Sequence, residues 1–171
     1  MMNTSPNRLL EIQDLSVKFY TYQGVLDAVD IDTLTLDKRQ SLGLVGETGC
    51  GKTVTSLAIL GLIPYPGRIE RGSIVFDGED LTRKSEEEMR TIRGSRISMI
   101  FQNPTSSLNP VFTIGDQIAS VISLHQKVDV KQARRRTVEM LSLVQLSDPE
   151  KVVDAYPHEL SGGMCQRAMI A

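Results

Sequence analysis

With 171 residues the chain has the length of one domain and can bury a sizeable core. Its hydrophobic content of 40% is ordinary for a soluble protein, and 19 Lys and Arg against 21 Asp and Glu leave a net charge of -2. That balance offers no basic excess for nucleic acid, and the longest apolar stretch, around Leu57 to Ile63, is far too short to span a bilayer.

In chain order, residues 9–19 alternate well enough for a strand, and residues 25–36 continue with β-type composition. Leu42-Gly43-Leu44-Val45 predicts a short buried strand. Residues 52–62 have helical spacing and stop at the turn Pro64-Tyr65-Pro66-Gly67. Residues 73–76 predict another strand, closed by the hairpin-type pair Asp77-Gly78. A short charged helix from Ser85 leads to a predicted strand over 96–101, apolar at Ile97, Met99, Ile100 and Phe101. An irregular polar segment, 102–110, follows. Helices are expected over 114–124, 131–144 and, more briefly, near 150–155. Arg134-Arg135-Arg136 lies in the second of these and reads as a solvated helix face. Strands thus fill the first two-thirds and helices the last third, which predicts an α/β core (about 1–101) with a mostly helical arm (about 102–171).

Cys50 and Cys165 lie far apart, form no metal-ligand spacing and sit in Gly-rich contexts where a small side chain fits, so both are expected as free thiols. The N-terminus lacks the apolar region of a secretory signal, so a cytoplasmic chain is expected.

Gly46-Glu47-Thr48-Gly49-Cys50-Gly51-Lys52-Thr53 matches G-x-x-x-x-G-K-[ST] in full. The chemistry is specific. The backbone must curl so that successive N–H groups face phosphate oxygens, and glycine takes the required dihedrals without strain. The helix that follows turns its positive end to the anion. Lys52 supplies a mobile charge to the outer phosphates and the Thr53 hydroxyl can ligate Mg²⁺. An accidental Gly-rich turn would match this pattern in roughly one chain per hundred of this length. The apolar run before it and the apolar helix after it weigh further against accident.

Gln102 ends the predicted strand over 96–101, where a neutral amide can touch a metal or a water; alone, such a Gln is usually just solvated. Leu160-Ser161-Gly162-Gly163 reads first as a helix N-cap with a flexible entry. The same geometry presents a hydroxyl and free N–H groups to an anion. Two phosphate-binding helix ends are more than one nucleotide on one chain obviously needs.

The order and spacing of Gly46–Thr53, Gln102 and Leu160-Ser161-Gly162-Gly163-Met164-Cys165-Gln166-Arg167 resemble the Walker A, Q-loop and signature motifs of ABC-transporter ATPases. The resemblance runs from Leu9 to Ala171. It implies an α/β P-loop NTPase fold of the ABC type, with an N-terminal β subdomain, a RecA-like core and a helical subdomain. Residues 101–110 and 156–164, with Ala28-Val29-Asp30, further resemble the oligopeptide/dipeptide and nickel importer branch.

By position, the resemblance implies ATP and Mg²⁺ as ligands. Gly46, Glu47, Thr48, Gly49, Cys50, Gly51, Lys52 and Thr53 would bind the triphosphate, with Thr53 and Gln102 at Mg²⁺ and Lys52 and Gln102 in catalytic roles. Ser161, Gly162, Gly163 and Gln166 would meet nucleotide held by a second ATP-binding subunit packed head to tail. Phe19 aligns best with the aromatic that stacks on adenine, with Tyr20 and Tyr22 as rivals and simple packing as the plain alternative for each. The segment after Gln102 would meet transmembrane permease subunits, and through them an extracytoplasmic peptide-binding protein. The location implied is peripheral, at the cytoplasmic face of the cell membrane.

Lys38-Arg39-Gln40 stands where the family commonly has a Gly-Glu turn, Cys50 where Ser is common, and Cys165 where Arg is common, which removes a charge beside the signature. The family's apolar strand ending in Asp-Glu, its switch histidine and the branch's C-terminal extension have no counterpart in these 171 residues; His125 and His158 precede or adjoin the signature. The expectation is a fragment that lacks the last part of the core, binds ATP weakly, hydrolyses it little and is poorly stable. The rival reading is a non-hydrolysing nucleotide-binding or regulatory module.

Overall fold

The computed structural model describes residues 7–103 and 107–171. The chain divides into two compact units, one ending at Ile97 and the other running Ser98–Ala171.

In the first unit β1 (Arg8–Thr21), β2 (Gly24–Asp37), β3 (Gly67–Phe76) and β4 (Glu79–Asp80) form one antiparallel sheet in the order β2-β1-β3-β4. The apolar pattern of β1 changes phase midway. Leu10 and Ile12 occupy even positions, Leu15 and Val17 odd ones, yet all four are buried. Keeping both pairs inward requires an extra residue, since a one-residue slip turns every side chain over. Asp14, with φ of 48°, supplies it, and the ladder to β3 shifts between Gln13 and Ser16. Gly72 lies against this bulge: a Cβ there would stand 2.4 Å from the Asp14 carbonyl oxygen. Arg71 then ties the strands together through Asp14 at 2.9 Å and Asp30 at 2.7 Å.

Asp77 (φ 48°) and Gly78 (φ 86°) make the predicted tight turn, with Phe76 paired to Glu79 across it. α1 (Lys52–Ile59) and α2 (Glu86–Ile92) pack on the sheet, and Ile12, Leu15, Val17, Ile74, Ala58 and Met89 lie in their common core. Ser85 and Glu88 close a reciprocal capping box at the start of α2.

Two predicted strands are absent. Residues 42–45 carry no strand, and Leu42, Leu44 and Val45 are 48%, 45% and 97% exposed. Over 96–101 the structure has a single bridge, Arg93 to Ile97, and Ile100 and Phe101 are exposed. Both runs have strand composition, but a strand also needs a neighbour for its backbone groups. Among the described residues neither run has a ladder partner. α1 also ends earlier than the spacing predicts, at Ile59 rather than Leu62.

A surface ion network spans the β3–β4 turn. Glu79 pairs with Lys84 at 2.7 Å and with Arg96, while Asp77 pairs with Lys38 at 2.7 Å. Lys84 first, then Arg96, holds the Glu79 carboxyl down to about 2 from an ordinary value of 4.5. A depressed folded pKa stabilises the fold above the unfolded value and ceases to do so as pH falls through the folded one. Urea midpoints are therefore expected to decline as pH drops from 4.5 to about 2, and Glu79→Gln should flatten that decline.

In the second unit α3 (Ile114–Gln126) and α4 (Val130–Leu143) face each other through Ile118, Ile122, Ala133 and Leu141. Thr113 and Asp129 cap them, accepting from the N–H groups of Asp116 and Gln132. The predicted bounds are off by one or two residues, as fraying ends allow. α5 (Pro149–Val152) is a single turn, and its exit pins the start of α3. Ile114 N–H donates to Ala155 O and Gly115 N–H to Val153 O, each at 2.9 Å. α6 (Gly162–Ile170) closes the described structure. Arg134, Arg135 and Arg136 are exposed, with Arg134 paired to Asp154 and Arg135 to Glu139. No helix among the described residues is long and apolar enough to cross a membrane.

Candidate phosphate-binding site

Residues 46–53 curl into the N-terminus of α1. The Cys50 N–H turns back to Glu47 O at 3.3 Å, and Gly51, with φ of 90°, is the residue before the helix. Only glycine serves at that position, for two separate reasons. Its backbone is left-handed, and an added Cβ would lie 2.6 Å from Ala28 O and 3.1 Å from Val29 Cγ2 on β2. The loop is thereby seated directly on the sheet.

α1 has no side-chain cap. Its first turn therefore offers N–H groups that a side chain would otherwise take, at the positive end of the helix dipole. Thr55 sits behind this end, buried, with its hydroxyl donating to Gly51 O at 3.0 Å. The Lys52 ammonium is folded over the loop, donating to Gly46 O and Glu47 O at 2.7 Å each and lying 3.3 Å from Cys50 Sγ. Thr53 is exposed beside it. Curled backbone, uncapped helix end, lysine and exposed hydroxyl together fit a polyphosphate, and the hydroxyl is a hard oxygen ligand suited to Mg²⁺.

The aromatic candidates differ in what already occupies them. Phe19 is half-buried, its ring laid across Gly67, where a Cβ would come within 2.7 Å of both Phe19 Cε1 and Ile63 Cγ2. Tyr20 carries the Arg68 guanidinium 4.2 Å above its ring. Tyr22 stands in the β1–β2 turn and is 96% exposed.

The other candidate residues belong to the second unit. Gln102 is exposed; Pro104, Thr105 and Ser106 lie outside the described residues. Ser161 caps α6, its hydroxyl oxygen accepting from the Met164 N–H at 3.4 Å. Gly162 and Gly163 are exposed, and among the described residues nothing lies within 4 Å of where either Cβ would be. Glycine favours a helix less than alanine does. Packing among the described residues does not require it here, so an open surface is what the glycines provide.

Two residues that the sequence reading did not assign hold α6 from behind. Arg167 Nη1 donates to Gln145 O at 2.9 Å, just past the end of α4, and Cys165 Sγ donates to Pro157 O at 3.4 Å. Cys165 is fully buried and burial pushes its thiol pKa up. It is thus a packing residue, and its difference from arginine changes the interior of the unit as well as the charge beside the motif. Its place one turn after the Ser161 cap was the available signal. Both cysteines are free thiols, Cys50 exposed and Cys165 buried.

A model of the family described as ABC transporter matches residues 29–171. The chain belongs to the ABC transporter family. Among its relatives in that family, the oligopeptide transport ATP-binding protein OppD of Bacillus subtilis (strain 168) is 50% identical over 165 residues, which cover 96% of this chain and 46% of that protein. The dipeptide transport ATP-binding protein DppD of Escherichia coli (strain K12) is 45% identical over 163 residues, covering 95% and 50%. The chain spans about half the length of the curated relatives it matches. Among solved structures, the dimeric structure of MJ0796, a bacterial ABC transporter cassette, superposes with a TM-score of 0.82 at 20% identity, over 95% of this chain and 67% of that one. The same cassette bound to ADP and Pi gives 0.77 at 18% identity, over 95% and 67%. The fold is that of an ABC ATP-binding cassette, α/β in class, as the order of motifs implied.

Proposed function

We propose that the chain is the ATP-binding part of an ABC importer for oligopeptides or dipeptides. The uncapped, lysine-covered N-terminus of α1 carries this reading. Residues 46–53 would hold the triphosphate, with Thr53 at Mg²⁺ and an aromatic of the β1 end, Phe19 or its rivals Tyr20 and Tyr22, against adenine. The Thr53 hydroxyl would help hold Mg²⁺, whose charge would offset that of the phosphates. Lys52 would then exchange the carbonyls of Gly46 and Glu47 for phosphate, and the first-turn N–H groups would fix the anion's place.

Ser161, Gly162, Gly163 and Gln166 would meet nucleotide held by a second ATP-binding subunit, which their open, glycine-lined surface supports. Transmembrane permease subunits would be met through the segment after Gln102, at the cytoplasmic face of the membrane. The peptide class rests on relatives that are oligopeptide and dipeptide transport ATP-binding proteins. This span carries no Asp-Glu pair after an apolar strand, so by itself it is expected to bind MgATP without turning it over.

Calorimetric titration with MgATP tests the reading. Saturable binding that inorganic pyrophosphate displaces is expected, with no phosphate released. Binding that pyrophosphate fails to displace would place the ligand elsewhere, and no binding at all would remove the reading.

A further inference from the structure

The end of α1 remote from the phosphate loop is held by a residue outside every motif. After Ile59 the chain stops the helix with paired bonds, Gly61 N–H to Ala58 O at 3.0 Å and Leu62 N–H to Leu57 O at 2.8 Å, with Gly61 left-handed at φ 62°. Those bonds satisfy two of the terminal carbonyls. Beyond Ile59, the carbonyls of Leu60 and Gly61 are taken by Arg93, at the end of α2: Nε donates to Leu60 O at 2.7 Å and Nη2 to Gly61 O at 3.2 Å. The same guanidinium meets Glu86, at the start of α2, through Nη1 to Oε1 at 2.8 Å and Nη2 to Oε2 at 3.1 Å. The Arg93 side chain is only 18% exposed, and it holds the Glu86 carboxyl below the ordinary carboxylate range.

We propose that Arg93 is a positioning residue for the phosphate loop, acting through α1. The inference rests on the reading that this loop holds a polyphosphate. α1 has eight residues, or about 12 Å of helix, and a helix of two turns does not hold itself in place. Its tilt decides where the first-turn N–H groups point. Gly51 wedged on the Ala28 backbone fixes one end, and the Arg93 fork fixes the other. Without Arg93, Leu60 O loses a charged donor in a residue that is 5% exposed. Glu86 cancels the guanidinium charge, so the effect on the loop is one of place, not of field. Lysine cannot reproduce it, because one ammonium cannot span two carbonyls and a carboxylate as a planar fork does.

The test is titration of the parent chain, Arg93→Ala, Arg93→Lys and Glu86→Gln with inorganic pyrophosphate and with MgATP, each well below its melting temperature. Arg93→Ala is expected to weaken both ligands about tenfold, the worth of one charged hydrogen bond. Arg93→Lys should fall between it and the parent, and Glu86→Gln should lose less than Arg93→Ala. A lowered melting temperature with both affinities at the parent's value would overturn the proposal, because a merely structural residue behaves so. If Arg93→Ala does not fold, the same outcome in the other two variants overturns it. A parent chain that binds neither ligand removes the reading of the loop, and this inference with it. A parent that binds while Arg93→Ala binds equally well removes this inference alone.

Discussion

Lys52→Ala is expected to weaken MgATP binding about a hundredfold, the worth of two charge-assisted bonds to phosphate, while leaving unfolding free energy within about 0.5 kcal/mol. The asymmetry follows from what Lys52 touches. Its partners, the carbonyls of Gly46 and Glu47, belong to exposed residues, so water can replace the ammonium there. A phosphate has no such substitute, because the positive charge of the loop beyond its backbone dipoles comes from this side chain. Calorimetry for binding and urea denaturation for stability check the two halves separately. An affinity within threefold of the parent would show that the backbone alone suffices. A large loss of stability would show that Lys52 is a structural strut.

Gly51→Ala should act on both quantities. A left-handed backbone costs a residue with a Cβ about 1–2 kcal/mol. The contact with Ala28 O, at 2.6 Å, adds to this because the obstacle is strand backbone and not the tip of a flexible side chain. A loss of about 3 kcal/mol is expected, together with displacement of the loop and of its affinity for MgATP. Gly162→Ala is the informative contrast. The space around it is open and its backbone is helical, so alanine there should preserve or slightly raise stability. Urea denaturation of the two variants checks the pair. Equal effects would mean that the Ala28 contact is not what makes Gly51 necessary.

The curl of residues 46–53, the helix that follows Ser85 and the β3–β4 turn were legible because each depends on residues a few positions apart. Gly46 to Thr53 states its own backbone requirement, Asp77-Gly78 its turn, and the charged run from Ser85 its helix. The misread segments, 42–45 and 96–101, fail for the converse reason: composition marks a candidate strand, while pairing is decided by residues far away in the chain. The bulge at Asp14 was missed, because residues 9–19 read as one alternating strand; the phase change between Ile12 and Leu15 was its signal. Arg93 was invisible, since a guanidinium reaching from α2 to the end of α1 leaves no local pattern. Arg167 was hidden in the same way, since it works by a contact with Gln145, whereas Cys165, in contact with Pro157, had its spacing from Ser161 as a signal.

The cap at Ser161 narrows what evolution can place there. Its oxygen accepts the Met164 N–H, so the hydroxyl proton remains to be donated outward. Asp would cap α6 as well and would turn a negative charge to the same side. Asn caps and can donate, but with a longer side chain that crowds the glycine-lined surface. Ala would leave both the helix end and the outward bond unmade. If this helix end meets phosphate as proposed, then among good caps the position admits a short hydroxyl and little else, and a homologue that carries Asp there would keep the helix and give up the anion.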